Sequence, residues 1–201
     1  MEYTGIFAYI VVSIIVMAVV LRVILPHWWD ENYEEPSVRA GKRGEKKATE
    51  IIKRVMKEGD VLLTNVCIEF EGKRTELDNV IVNKRGVFII EVKNYSGMLI
   101  GAEDDYEWTK YKISEGGNTY EKQVRNPIKQ VKRQVYILSH YLKYYGIPVW
   151  VEGYVFLLNN HSPISSDSVL ESYKDIERVI HRQSRNILNK RTMIAIKDLL
   201  D

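Results

Sequence analysis

The feature that most constrains this chain is an apolar run near its N-terminus. Between Gly5 and Leu25 the only charged residue is Arg22, and most of the others are Ile, Val, Ala, Leu and Met. At ~1.5 Å per residue, about twenty helical residues cross the ~30 Å hydrocarbon core of a bilayer. A surface helix of a soluble domain is instead apolar along one face only. The run therefore predicts a transmembrane anchor over residues 1–26.

The residues on either side of the run favour an uncleaved anchor over a cleaved signal peptide. The chain begins Met-Glu-Tyr, without the basic residues that open a signal peptide, and the aromatic pair Trp28 and Trp29 follows the run. Basic residues gather on the C-terminal side, which predicts a cytoplasmic C-terminal domain at the cell membrane. The single cysteine, Cys67, excludes an intrachain disulfide and agrees with a reducing compartment. A rival interpretation is a hydrophobic helix that pairs with a partner protein.

Beyond the anchor we expect a short polar linker over 27–37, a domain over 38–160 and a C-terminal helical extension over 161–201 that packs on the domain. Apolar spacing predicts a helix over 38–58, and Asn126-Pro127 opens a second one that ends near residue 145. Continuous apolar strands such as 87–92 indicate a sheet covered on both faces. The pattern predicts an α/β fold, a mixed sheet flanked by helices. The predicted strands are 61–70, 76–82, 87–92, 98–101, 107–113 and 149–158, and two tail helices are expected at 175–181 and 192–200.

Charged residues interrupt two of the apolar strands at Asp78, Glu91 and Lys93. If Lys84 and Arg85 form a two-residue hairpin loop, Asp78 lies opposite Glu91 and Glu76 lies opposite Lys93, all on one face. Gly86, however, also suits a three-residue loop with a bulge, which would shift the register by one residue. The common face would then require a compensating bulge or bend.

Two facing carboxylates repel each other unless a cation lies between them. Mg²⁺ (or Mn²⁺) is the natural candidate, because it prefers hard oxygen ligands and retains waters. Lys93 could then orient or deprotonate a water, or stabilise charge on a phosphate. The plainer alternative is a cross-strand ion pair between a strand glutamate and Lys93.

Several short segments stand in a fixed order around this site. They are Gly41–Glu45, Thr75–Asp78, Gly86–Asn94, Ser96-Gly97, Trp108 and Asn126–Gln130. This ordered set resembles the nuclease-related domain (NERD) family of the PD-(D/E)xK nuclease-like superfamily, although Leu77 stands where the broader motif has proline.

The resemblance implies a restriction-endonuclease-like fold and a role in DNA processing. It also implies that Asp78, Glu91 and the Val92 carbonyl bind the metal. Lys93 is then the catalytic lysine, Glu45 a helix-borne carboxylate near the metal, and Gln130 a polar active-site residue.

The predicted helix over 38–58 and the one that begins at Asn126-Pro127 are rich in lysine and arginine. Such helices can bind nucleic-acid phosphates without sequence preference. The competing interpretation is attraction to anionic lipid beside the anchor, worth about 1 kcal/mol per basic residue. The candidate nucleic-acid-binding residues are Lys42, Arg43, Lys46, Lys47, Lys129, Lys132 and Arg133.

Together these patterns predict a membrane-anchored, Mg²⁺-dependent phosphodiesterase that acts on DNA at the cytoplasmic face. One alternative is a membrane-tethered nucleic-acid-binding or scaffold module without catalytic activity. Another is a membrane protein whose basic helices bind only lipid. The complete Asp, Glu and Lys set favours the phosphodiesterase over the inactive binding module.

Overall fold

The chain begins with a helix and continues into a mixed α/β domain. The computed structural model describes residues 3–24, 34–114, 116–158, 163–183 and 187–201, and divides the chain into two compact units, Met1–Arg39 and Ala40–Asp201. The first unit contains α1 (Tyr3–Ile24). Among the residues described, none of the helices combines the length and the apolar character that crossing a membrane requires. The anchor therefore stays a prediction, and most of the linker, with Trp28 and Trp29, lies outside the described residues.

From residue 36 onward the elements follow the predicted order with two additions. Strands β6 and β8 were not expected, while the predicted helix over 38–58 begins at Pro36 and ends at Val55. The elements are α2 (Pro36–Val55), β1 (Val61–Phe70), β2 (Lys73–Asn83), β3 (Gly86–Lys93), β4 (Met98–Ile100), β5 (Glu107–Ile113), β6 (Thr119–Arg125), α3 (Pro127–Tyr144), β7 (Val151–Leu157), β8 (Val169–Leu170), α4 (Tyr173–His181) and α5 (Lys190–Leu200).

The main sheet has five strands in the order β1-β2-β3-β7-β8. The pairs β1/β2 and β2/β3 are antiparallel, whereas β3/β7 and β7/β8 are parallel. The predicted mixed α/β sheet is therefore confirmed. The β2–β3 hairpin pairs Asn83 with Gly86 and Asn79 with Ile90, so its loop has two residues. The predicted loop and its register are confirmed over these pairs, and the alternative three-residue loop is wrong. The expected pairs of Asp78 with Glu91 and of Glu76 with Lys93 lie beyond this paired stretch.

Helices cover both faces of this sheet. On one face Val80 and Ile89 pack with α3 and α5 in one apolar core. On the other face Ile81, Phe88 and Ile90 pack with α2 and α4 in a second core. The apolar strands are continuous rather than alternating because both of their faces are buried.

A second, three-stranded sheet, β4-β5-β6, is inserted between β3 and α3. Its Trp108 is fully buried, and its Nε1 donates to the Ala102 carbonyl at 2.9 Å. Asn126 caps α3 by accepting from the Ile128 amide, while its Nδ2 donates to the carbonyls of Glu103 and Asp105. These bonds tie the inserted sheet to the start of α3.

Candidate active site

Asp78 lies at an irregularity in the sheet. Asn65, the residue opposite it on β1, has a left-handed φ of 54°, and the recorded β1/β2 pairs pass from Thr64↔Asn79 to Val66↔Leu77. Leu77 and Val80 belong to the same core, although side chains three residues apart on a regular strand face opposite ways. The alternation of faces therefore breaks at Asp78. Its Oδ2 accepts a hydrogen bond from the Val92 amide at 2.7 Å.

Glu91 is the most completely bonded carboxylate of the site. The residue is 2% exposed. Its Oε1 accepts from Lys93 Nζ at 2.6 Å and from Gln130 Nε2 at 2.5 Å, and its Oε2 accepts from Gln134 Nε2 at 2.7 Å. Lys93 thus pairs with its own strand neighbour, whereas Glu76, the expected cross-strand partner, is exposed. The structure brings Glu91, Lys93 and Gln130 together at one point.

The pKa values of Asp78 and Lys93 are both raised, for different reasons. Burial, and then repulsion from Glu91, raise the pKa of Asp78 to about 7. Burial acts to lower the pKa of Lys93, but the charge of Glu91 and their hydrogen bond outweigh it, so that this pKa lies above its ordinary value. Lys93 is therefore positively charged, whereas the nearby positive charge is too small to offset the negative charge of ionised Asp78.

Helix α2 brings Glu45 toward these groups through a close approach at Gly44. A Cβ on Gly44 would lie 2.5 Å from Asn94 Cβ, so that only glycine permits this packing. Asn94 Nδ2 also donates to the Ala40 carbonyl at 2.8 Å. Glu45 is half-buried, and its negative charge is one of the causes that raise the pKa of Asp78.

The protein offers few ligands for a divalent cation at this site. Within the described residues no group of three or more His, Cys, Asp or Glu side chains could hold a metal ion. Two carboxylates are nevertheless adjacent, and one hydrogen bond is recorded for Asp78. Because the Val92 amide points to Asp78, the carbonyl of Val92 faces the same strand edge. Mg²⁺ commonly binds one or two carboxylates and keeps waters, so this donor set fits it.

Comparison with known proteins assigns the chain to a family. The model of the nuclease-related domain family, NERD, matches residues 40–158, more than half of the chain. The chain belongs to the NERD family. It is also 34% identical over 71 residues to an uncharacterized protein of Bacillus anthracis, a match that covers 35% of this chain and 34% of that protein. The chain thus matches about a third of that relative's length, and no solved structure matches the chain.

The NERD domain has a second glutamine at its site that the sequence analysis missed. Gln134 is 1% exposed, and its Nε2 donates to Glu91 Oε2 and to the Glu76 carbonyl at 3.0 Å. It lies four residues after Gln130, so both side chains project from one face of α3. That spacing was the available signal.

Tyr95 lies near the site, and two of the motif residues have structural roles. Tyr95 is half-buried, and burial raises its pKa; the charge of Lys93 opposes this shift, whereas that of Glu91 adds to it. Asn126 and Trp108, two of the motif residues, bond to the 102–105 loop, where they have a structural role.

The seven candidate nucleic-acid-binding residues are all exposed. Those on α2 and those on α3 lie over opposite faces of the main sheet, because each helix packs on a different core. Lys132 forms an ion pair with Glu103 at 2.9 Å, and Lys129 Nζ lies 5.9 Å from the centre of the Tyr106 ring. The two helices therefore do not form one continuous basic surface.

Proposed function

We propose that this NERD protein is a metal-dependent phosphodiesterase that hydrolyses nucleic acid, with DNA as its substrate. The observation that carries the proposal is the convergence of Asp78, Glu91 and Lys93 beside Gln130. Three side chains donate hydrogen bonds to Glu91. Asp78 instead is buried and repelled by Glu91, and a divalent cation would offset its negative charge. A structural ion pair would need only Glu91 and Lys93.

Each residue has a distinct part in the proposed chemistry. Asp78 and Glu91, with the Val92 carbonyl, would hold the metal, Mg²⁺ or Mn²⁺, which supplies a Lewis acid and an acidified water when bound. Lys93 uses one donor on Glu91, and an ammonium has three, so the remainder can donate to a phosphate oxygen or orient a water. Gln130 fixes the Glu91 carboxylate, and Glu45 adds negative charge at the side of Asp78.

The exposed lysines and arginines of α2 and α3 support a polyanionic substrate. We propose Lys42, Arg43, Lys46 and Lys47 on α2 as phosphate contacts, because each is exposed on the helix that carries Glu45. Arg133 and Lys129 offer similar contacts on α3, the helix that carries Gln130. Lys132 must first release Glu103.

We also propose that residues 1–26 tether the protein to the cell membrane, with the C-terminal domain in the cytoplasm. The support is the apolar sequence, in which Arg22 is the only charged residue between Gly5 and Leu25. Side chains such as Tyr9, Ile14 and Met17 are 79%, 62% and 63% exposed. A bilayer would cover them.

Lys93→Ala tests the proposed reaction. We expect wild-type full-length protein to cleave DNA in Mg²⁺ or Mn²⁺, and the variant to cleave at least ~10²-fold more slowly, since a positioned charge is lost at the reacting group. DNA affinity should change much less, because exposed basic residues supply most of it. Cleavage rate, anisotropy and melting temperature are measured on one sample.

The control for Lys93→Ala is Lys197→Ala, a lysine on α5 that pairs only with Asp201 among the described residues. Normal cleavage by folded Lys93→Ala protein would contradict the assigned role. If wild-type protein binds DNA but cuts no nucleic acid with any divalent metal, the NERD domain is a tethered binding module instead.

Metal binding gives a second prediction. Calorimetry on the full-length protein should show weak Mg²⁺ or Mn²⁺ binding that Asp78→Ala or Glu91→Ala abolishes, because two carboxylates supply the side-chain ligands. Glu76→Ala is the matched control, since Glu76 is an exposed glutamate two residues from Asp78. Equal binding by all three variants would refute the metal site.

A further inference from the structure

The inserted sheet has one face that is basic and another that carries the glutamates of its two longer strands. Opposite residues of an antiparallel pair share a face, and every second residue of a strand shares it too. The register pairs Lys110 with Lys122 and Lys112 with Tyr120, which places these four side chains together. We call this surface the lysine face.

The acidic residues of the same strands are on the opposite face. There Glu107 is paired with Arg125 and Glu121 with Tyr111, while Thr109 and Gln123 exchange hydrogen bonds. The strands β5 and β6 thus concentrate three lysines on one side with no carboxylate of their own beside them. Within the described residues, the lysine face has no recorded ion pair to offset that charge.

This arrangement costs stability unless an anion binds to it. Like charges directly opposite on neighbouring strands are destabilising, and Lys110 and Lys122 are such a pair. Lys112 and Lys122 are exposed, and Tyr120 is 57% exposed, so a ligand can reach all three. Aromatic rings beside basic side chains are typical of surfaces that bind single-stranded nucleic acid, since every base has a face that can stack.

The lysine face begins beside the candidate active site. Lys110 Nζ lies 5.9 Å from the centre of the Tyr95 ring, and Tyr95 follows Lys93 by two residues. Trp108 and Val124, on the same face at its other end, pack against the main core and fix the orientation of the sheet. The basic surface therefore extends from the site along β5 and β6 toward the turn between them.

We propose that the lysine face carries a single strand of nucleic acid toward Lys93. Its three lysines contact phosphates, and Tyr120 stacks on a base. This inference rests on the proposed function, because it takes nucleic acid as the substrate. It adds a preference for unpaired strands and places the main contact on the inserted sheet rather than on α2.

The test compares two triple variants of the full-length protein that lose equal charge. One is Lys110→Gln/Lys112→Gln/Lys122→Gln. The control is Lys57→Gln/Lys84→Gln/Lys190→Gln, whose lysines line a cavity of about 700 Å³ at the hairpin end of β3. Fluorescence anisotropy in EDTA, with a labelled single-stranded oligonucleotide and its duplex, measures binding without cleavage.

We expect the lysine-face variant to bind the single strand at least ~10-fold more weakly, with a salt slope reduced by about 2, since three phosphate contacts are lost. The control should bind almost normally. Tyr120→Leu should weaken single-strand binding about tenfold and leave duplex binding unchanged, because stacking needs an unpaired base. Melting temperatures of the lysine-face variant should be equal or higher, which excludes unfolding as the cause.

Equal losses in the two triple variants would overturn the proposal, and so would equal losses for single strand and duplex. Cleavage assays keep this result separate from the proposed function. Normal cleavage of single strands by the lysine-face variant would refute the lysine face and leave the nuclease intact. Binding that depends on the lysine face without any cleavage by wild-type protein would support the surface and refute the hydrolysis.

Discussion

At the scale of single residues, the site contains two carboxylates that the protein treats differently. Glu91 is surrounded by Lys93, Gln130 and Gln134, whose donors occupy both of its oxygens. Asp78 receives one backbone hydrogen bond and lies in the negative field of Glu91. The protein thus stabilises the charge of Glu91 and leaves that of Asp78 to be offset by something else.

Asp78→Asn should stabilise the metal-free protein at alkaline pH. The pKa of Asp78 is raised from 3.8 to about 7 on folding. A raised carboxyl pKa contributes stability that is fully present below the unfolded value and is lost as the pH rises through the folded value. In EDTA, the free energy of unfolding of the variant should therefore exceed that of the wild type at pH 8 by about 4 kcal/mol, and this advantage should shrink toward pH 4.

Urea denaturation at several pH values measures this difference. Asp104→Asn, at an exposed aspartate, is the control and should not change the pH dependence. If Asp78→Asn is less stable than the wild type at pH 8, the buried charge is already compensated and the electrostatic argument fails.

At the scale of elements, the contact between α2 and the end of β3 decides where Glu45 lies. Gly44 lies against Asn94, whose side chain holds the Ala40 carbonyl. Gly41, one turn earlier, has more room, because the nearest atom to an added Cβ is Glu45 Oε1 at 3.9 Å. Close packing therefore requires glycine at position 44 but not at position 41.

Gly44→Ala should destabilise the protein and Gly41→Ala should not. An added methyl at Gly44 meets Asn94 Cβ at 2.5 Å, and overpacking of this kind costs about 1–3 kcal/mol. At Gly41 the better helix propensity of alanine should instead add up to about 1 kcal/mol. Thermal unfolding of the two variants measures the contrast. Equal effects would show that α2 does not pack closely at Asn94.

At the scale of the whole molecule, the proposed membrane tether would restrict the site to nucleic acid that lies close to the bilayer. A polar linker of the length predicted over 27–37 is too short to let the domain travel far from the bilayer. In that case the attraction of exposed basic residues to anionic lipid would compete with phosphate binding.

A reporter fused after Asp201 should be active in the cytoplasm, and the protein should resist carbonate extraction from membranes. Both results follow from the apolar run and the basic residues that come after it. A variant with three apolar residues of the run changed to lysine is the control and should become extractable. Reporter activity outside the cell membrane would contradict the proposed orientation.

Much of the candidate site could be predicted from the sequence because its geometry is local. A two-residue loop fixes the register of the β2–β3 hairpin, which brings Asp78 to the end of β3, and Lys93 shares the face of Glu91 because strand side chains alternate. The helices α2 and α3 follow from apolar spacing and, for α3, from the Asn126 cap. Family membership followed from short motifs in the same order.

Only the tertiary structure decided the contacts between distant parts of the chain. Strand β6 is polar and mostly exposed, so no apolar pattern marks it, and β8 has two residues whose pairing depends on β7. Lys93 bonds Glu91 rather than Glu76 because the alternation of faces breaks at Asp78. Gln134 contacts Glu91 only because α3 packs across the sheet. The sequence by itself determined the local elements and the two carboxylates. Packing decided which side chains donate hydrogen bonds to them, because these contacts join residues far apart in the chain.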